Sequence, residues 1–460
     1  MGVSYEGETS FVAWGGTLIL AAGLALGSAP VVSAAGAEVD LDVVTKVVTA
    51  YQDLLDSHWT DSNCSLSSCV NASSSVFASS GDKKSQRGSS FGGSSKKGRD
   101  ERKNSGENPK FTKAEATILR VRDAMKDFGL PIKTAKSTIS VKDAKMNADG
   151  KVTVSVAVGT TKTYESDNDE PSYMVDTHTL TLSPNPENLF AVVEDTIDPE
   201  PQEESHPESI PSDAEFKSLS SDQILGSEST GTNRPVKNSV DADFALLPVH
   251  KDKEVATMQQ VSLPWDAQQK KPDVQKMVAY ALHWTSPKVN PNPDVDVMNP
   301  AYPILENNCT NFASQALRAG GWEFMEAPVN VARDPNIWTP HMKDIDGQVK
   351  HSHTWGAAAN LYVYAKQHSP YRDLAQKEFA VKGDLIFVDW DSREGKKADG
   401  ELDHTMIVTG TDSPKNRFTT PRISQKTSNR NNITLYESQK FAREAGVNLE
   451  KARWYAITTR

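Results

Sequence analysis

Apolar residues change their spacing along the chain, and each change marks an element. In "EVDLDVVTKVVTAYQDLLDSHW" the positions Val43, Val47, Val48, Tyr51, Leu54 and Leu55 recur at helical spacing, which predicts a helix over about 41–57. A second helix is predicted in "TKAEATILRVRDAMKDFG". There Thr112 stands three residues before Glu115 as in a capping box, and Gly129 before Pro131 supplies the stop. The period then becomes two. "KSTISVKDAKM", "GKVTVSVAVGTTKTYE", "YMVDTHTLTLS" and "LFAVVEDTI" alternate and are rich in β-branched residues, with turns at Asp149-Gly150, "ESDNDEP" and "PNPEN" between them. Helices followed by a curled antiparallel sheet predict a small α+β domain over 38–198. His178 with Asp176 is its nearest approach to a catalytic set, and a polar pair on the open face of a strand is the plainer expectation.

Periodicity lapses from 199 to 245, where "PEPQEESHPESIPSDAEFKSLSSDQ" reads as an acidic linker. It resumes in a second domain, 246–460. "DVQKMVAYALHW" (273–284) predicts a helix with Met277, Val278, Ala281 and Leu282 on one face and Asp273 at its positive end. "NNCTNFASQALRAGG" (307–321) predicts another from Cys309 onward, with Phe312, Ala313, Ala316 and Leu317 inward and Gly320-Gly321 as its end. "VKGDLIFVDWD", "LDHTMIVTG" and "PRISQKTSN" follow as strands. The fold class expected for this part is again α+β.

Composition refines this picture. A chain of 460 residues exceeds what one core usually serves. Its low hydrophobic share, 37%, reflects dilution by polar stretches, among them the Ser/Gly/Lys-rich insert at 72–110. The net charge of −11 disfavours nucleic acid as a partner, because the basic run at 83–103 is local. Residues 1–37 hold an apolar stretch followed by "SAAGA", which predicts export, as a cleaved signal or a retained anchor, and hence a secreted or cell-surface location. Cys64 and Cys69 are close enough in sequence to form a disulfide outside the cytoplasm, leaving Cys309 over.

A cysteine at a helix N-terminus meets the positive end of the helix dipole and free backbone N–H groups, which favour a thiolate and can hold an oxyanion. A histidine opening a later strand, His404, completes the two-part arrangement that thiol hydrolysis needs. Its strand runs back into the core and holds the first residue at an edge, where it can face the helix. Tyr302, seven residues before the cysteine, is a candidate for the cleft. Trp322, Trp338 and Trp355 are candidates for both core and groove. The acids at 389–403 break the spacing of a calcium loop, and His341, His351 and His353 lack a second ligand pair, so no metal or cofactor is expected.

These elements resemble the "Putative amidase domain" of exported bacterial proteins, a branch of the papain-like group with the NlpC/P60 and CHAP hydrolases. "AYALHW", "NPAYPI", "NNCTNFASQALRAGG", "GDLIFVDWD" and "DHTMIV" carry the resemblance, in the family's order, over roughly 270–460. It implies Cys309 as nucleophile, His404 as general base, and a peptide or peptidoglycan-type amide as substrate. The chain departs from the family at Asn308, where an acid is usual, and at Lys426, where histidine is common. Lysine cannot accept a bond from an imidazole, so Gln425, Asn429 or a residue elsewhere must serve as the orienting group, Gln425 being the one expected, with Tyr302 and Asn308 as substrate contacts. Acyl transfer by the same chemistry, or a retired wall-binding domain, are the alternatives.

Overall fold

The computed structural model describes residues 39–61, 111–198 and 268–460, except for 167, 169, 186–188, 306, 326–331, 333, 344–348, 391–401 and 415–418. The expected export segment, the Ser/Gly/Lys-rich insert, the acidic linker and the Cys64–Cys69 pair lie outside the described residues.

Both N-terminal helices start where their caps stand. Asp40 Oδ1 accepts from the N–H groups of Asp42 and Val43 to open α1 (Leu41–Thr60). Helix α2 (Lys113–Phe128) opens on the reciprocal Thr112–Glu115 box and closes at Gly129, whose φ of 90° suits a residue without Cβ. The alternating segments form β1 (Ile132–Met146), β2 (Val152–Tyr164), β3 (Ser172–Asn185) and β4 (Leu189–Ile197), each antiparallel to the next. After 268 come α3 (Val274–Thr285), α4 (Cys309–Ala319), the hairpin β5 (Met342–Lys343) and β6 (Val349–Lys350), α5 (His353–Gly356) and α6 (Ala358–His368). Then follow β7 (Arg372–Asp373), β8 (Leu385–Asp389), β9 (His404–Asp412), β10 (Thr420–Gln425), β11 (Arg430–Thr434), α7 (Leu435–Glu444) and β12 (Arg453–Thr458).

All strands but the β5–β6 hairpin belong to one antiparallel sheet in the order β1-β2-β3-β11-β10-β9-β8-β12-β7, with β4 on the far side of β3. The class is α+β. The periodicity does not foretell that the N-terminal sheet continues into the C-terminal one. Strand β3 pairs with β11 through Arg430 opposite Met174 and Asn431 opposite Tyr173. On one face, α1, α2 and α7 cover a core that runs from Leu55 and Val154 to Val388, Met406, Val408 and Tyr436. On the other, α3, α4 and α6 cover Leu385, Phe387, Ile407 and Ile457.

Charged side chains are sealed into the seam between the two halves. Lys162 of β2 is fully buried, pairs with Glu437 of α7, and lies 4.3 Å over the Trp59 ring. Tyr164 donates its hydroxyl to the same carboxylate. Arg430 bonds Asp176 and the Val175 carbonyl, both at 2.6 Å. Asp176 is therefore not the partner of His178. That histidine is buried and its Nδ1 sits 3.0 and 3.1 Å from the carboxylate oxygens of Asp195 on β4, so the expected pair on an open strand face is replaced by an interior one.

Candidate active site

Helix α4 begins at Cys309, which is 1% exposed. Its first turn is fixed from three sides by side-chain hydrogen bonds. Thr310 and Thr405 share a hydroxyl–hydroxyl bond of 3.0 Å, tying the helix start to the start of β9. The Asn308 N–H donates to Thr427 Oγ1 at 3.1 Å, which ties it to the β10–β11 turn. Asn308 Oδ1 accepts from Leu305 N at 3.1 Å and from Asn311 Nδ2 at 2.9 Å, while its Nδ2 donates to the Leu305 carbonyl. With both ends of its amide engaged, Asn308 braces the approaching loop. Cys309 Sγ itself lies 3.4 Å from Thr310 Oγ1.

His404 is the residue before Thr405, and strand alternation sends the two side chains to opposite faces. Thr405 points with Phe387 and Ile407 toward α4. His404 pairs with Val388 in the ladder, and its ring lies 6.3 Å from that of Trp390, in the core beneath α1, α2 and α7. The backbones that carry Cys309 and His404 are thus neighbours, while the imidazole faces away. Its Nε2 is buried and has no hydrogen-bond partner among the described residues.

Gln425 stands in the same situation. The pairing of Ser424 with Ile407 makes it a neighbour of Met406 and a diagonal neighbour of His404, on the face shared with Ile423. Its Oε1 is also buried without a hydrogen-bond partner among the described residues. Lys426, the next residue, points to the α4 side, where its ammonium meets Asp296 and the Val297 carbonyl at 3.2 Å. Burial pushes the Lys426 pKa down, and Asp296 only partly restores it.

Tyr302 stacks on Trp355 with ring centroids 5.5 Å apart and is partly exposed, so it remains at the rim. Trp322, Trp338 and Trp355 are each 0% exposed, which gives them to the core and not to a groove. The bracing pairs Thr310–Thr405 and Asn308–Thr427 escape sequence reasoning, because each bond joins residues from different elements. A hint lies only in the polar residues packed around Cys309 in an otherwise apolar helix.

Among known proteins, residues 271–445 match the model of the family described as Putative amidase domain. The uncharacterized protein YhbB of Bacillus subtilis (strain 168) is 33% identical over 117 residues, or 25% of this chain and 32% of that protein. The chain therefore spans about a third of the length of that relative. Among solved structures, the intermembrane space region of chloroplast protein ARC6 is similar at 8% identity and a TM-score of 0.22, over 35% of this chain and 98% of that one. A score so low carries no argument here.

Proposed function

We propose, from residues 271–445 as a domain of the Putative amidase family, that this chain hydrolyses an amide bond with Cys309 as its nucleophile. The observation that carries the reading is Cys309 at the first position of α4, with the helix start braced by three neighbouring elements. A thiolate there is favoured by the helix dipole. It attacks the carbonyl carbon, and backbone N–H groups at the helix start receive the oxyanion. Collapse expels the amine, which takes a proton from His404, and leaves a thioester; water then attacks the thioester as His404 accepts its proton. Gln425, diagonal to His404, orients the imidazole. To reach Cys309 from the face it occupies, the first residue of β9 must reorient on substrate entry and take Gln425 with it. Its unpartnered Nε2 and the unpartnered Gln425 Oε1 support a pair that is completed on substrate entry. The substrate would be a peptide or cell-wall peptide and the setting extracellular, in a papain-like domain joined to the N-terminal sheet.

A second reading, a retired domain that only binds, is favoured by the imidazole lying on the far face and by Lys426 being tied to Asp296. Iodoacetamide separates the two. If Cys309 and His404 work together, alkylation of Cys309, read by peptide mapping, should begin well below the ordinary thiol pKa of about 8.5, and His404→Ala should move that onset upward. A thiol that stays unlabelled at every pH in the folded protein, or one transition near 8.5 in both proteins, would sink the enzyme reading.

A further inference from the structure

The segment 302–305 just ahead of the nucleophile is held at Tyr302, Pro303 and Leu305. The Tyr302 ring stacks on Trp355. The Pro303 carbonyl accepts from Asn311 Nδ2 at 2.9 Å. Leu305 is held by Asn308 through both its N–H and its carbonyl, and its side chain sits at the surface of Gly356, where an added Cβ would meet it at 3.1 Å. Between these anchors Ile304 is 73% exposed. Few large apolar side chains of the described residues are that open; Val295, at 51%, belongs to the same connection between α3 and α4.

An exposed isoleucine on a mobile loop needs no explanation, since single apolar residues are common on surfaces. Here the backbone on both sides is bonded to the first turn of the helix that bears Cys309. The side chain is therefore presented from a loop fixed to the start of the helix that bears Cys309, two residues from the partly exposed Tyr302. A rigid apolar contact beside a reacting centre discriminates substrates by the side chain they bring to it.

We propose that Ile304, with Tyr302, forms an apolar subsite of the Cys309 site, and that the amide cleaved is flanked by a bulky aliphatic or aromatic residue. This rests on Cys309 being the nucleophile, and the experiment is chosen to separate the two ideas. Full-length protein is treated with acetyl-leucyl, acetyl-glycyl and acetyl-glutamyl chloromethyl ketones. Labelling of Cys309 is followed by peptide mapping, and each rate is divided by that of iodoacetamide, which needs no subsite. The leucyl reagent should exceed the glycyl reagent at least about tenfold, the scale of a few methylenes in an apolar contact, with the glutamyl reagent slowest. In Ile304→Ser that ratio should fall toward one; because the side chain is open to solvent, the variant should melt within a degree or two of the parent. A wild-type ratio near one, or a ratio kept by Ile304→Ser, overturns the subsite while leaving the nucleophile standing. Failure of every reagent, iodoacetamide included, removes the nucleophile and the subsite with it.

Discussion

At the scale of single residues, the interior of the N-terminal part carries a charge that responds to pH. Burial alone would push the His178 pKa down, but Asp195 in contact with it, and Asp176 and Asp198 further off, outweigh burial and hold it above the ordinary value of 6.5. A group bound more tightly as its acid contributes stability that is fully present below about pH 6.5 and is lost as pH rises through the raised folded value. The melting temperature should therefore decline over that window on the alkaline side of 6.5. Asp195→Asn, which keeps the shape and removes the charge, should flatten the decline. An unchanged slope in that variant would mean another group is responsible. Beside the proposed nucleophile, Thr310→Val keeps the volume but leaves the buried Thr405 hydroxyl unbonded, at a cost of about 1–3 kcal/mol in denaturant unfolding. It should also slow Cys309 alkylation, since the helix start loses its tie to β9.

Elements here are set by their ends as much as by their patterns. Gly383 leads into β8 with φ of 89°, and a Cβ there would meet Val274 at 2.6 Å, at the start of α3. Gly383→Ala should destabilise by about 2–4 kcal/mol, combining a left-handed backbone cost with a clash. Urea titration would check this, and a loss under about 0.5 kcal/mol would mean that α3 shifts freely away. Local signals of this kind are what a sequence carries well. Thr112 with Glu115, Asp273 and Gly129 each act on their own helix, so caps and helix limits are legible. The alternation of β1 to β4 is legible for the same reason. It does not say what lies on either side of a strand, so His404 reads as a residue at an edge when its pleat sends it toward Trp390. His178 reads as Asp176's partner because they stand two positions apart on one strand, while Asp195 arrives from the next strand. The position of Cys309 at a helix start is visible from its run of apolar residues, but the hydroxyl that anchors that start comes from β9.

Over the whole molecule, the sealed Lys162–Glu437 pair is the test of how the halves depend on each other. Lys162→Ala leaves Glu437 charged, buried and short of its cation, and should cost about 3–5 kcal/mol in unfolding free energy. Lys162→Met with Glu437→Gln removes both charges and keeps an acceptor for the Tyr164 hydroxyl, so it should recover much of that loss. If the double variant is no better than the single one, the ammonium acts through Trp59 rather than through the carboxylate.

The sheet that runs through β3 into β11 also changes what the covalent link between the halves is for. Backbone pairing, a shared core and the buried ion pair hold 111–198 against 268–460, so no peptide bond in the intervening stretch is needed to keep them together. Each half alone would bare a sheet edge and an apolar face, inviting aggregation. Supplied as two polypeptides, they carry complementary surfaces for reassembly, as in a split reporter whose signal returns only when both pieces meet.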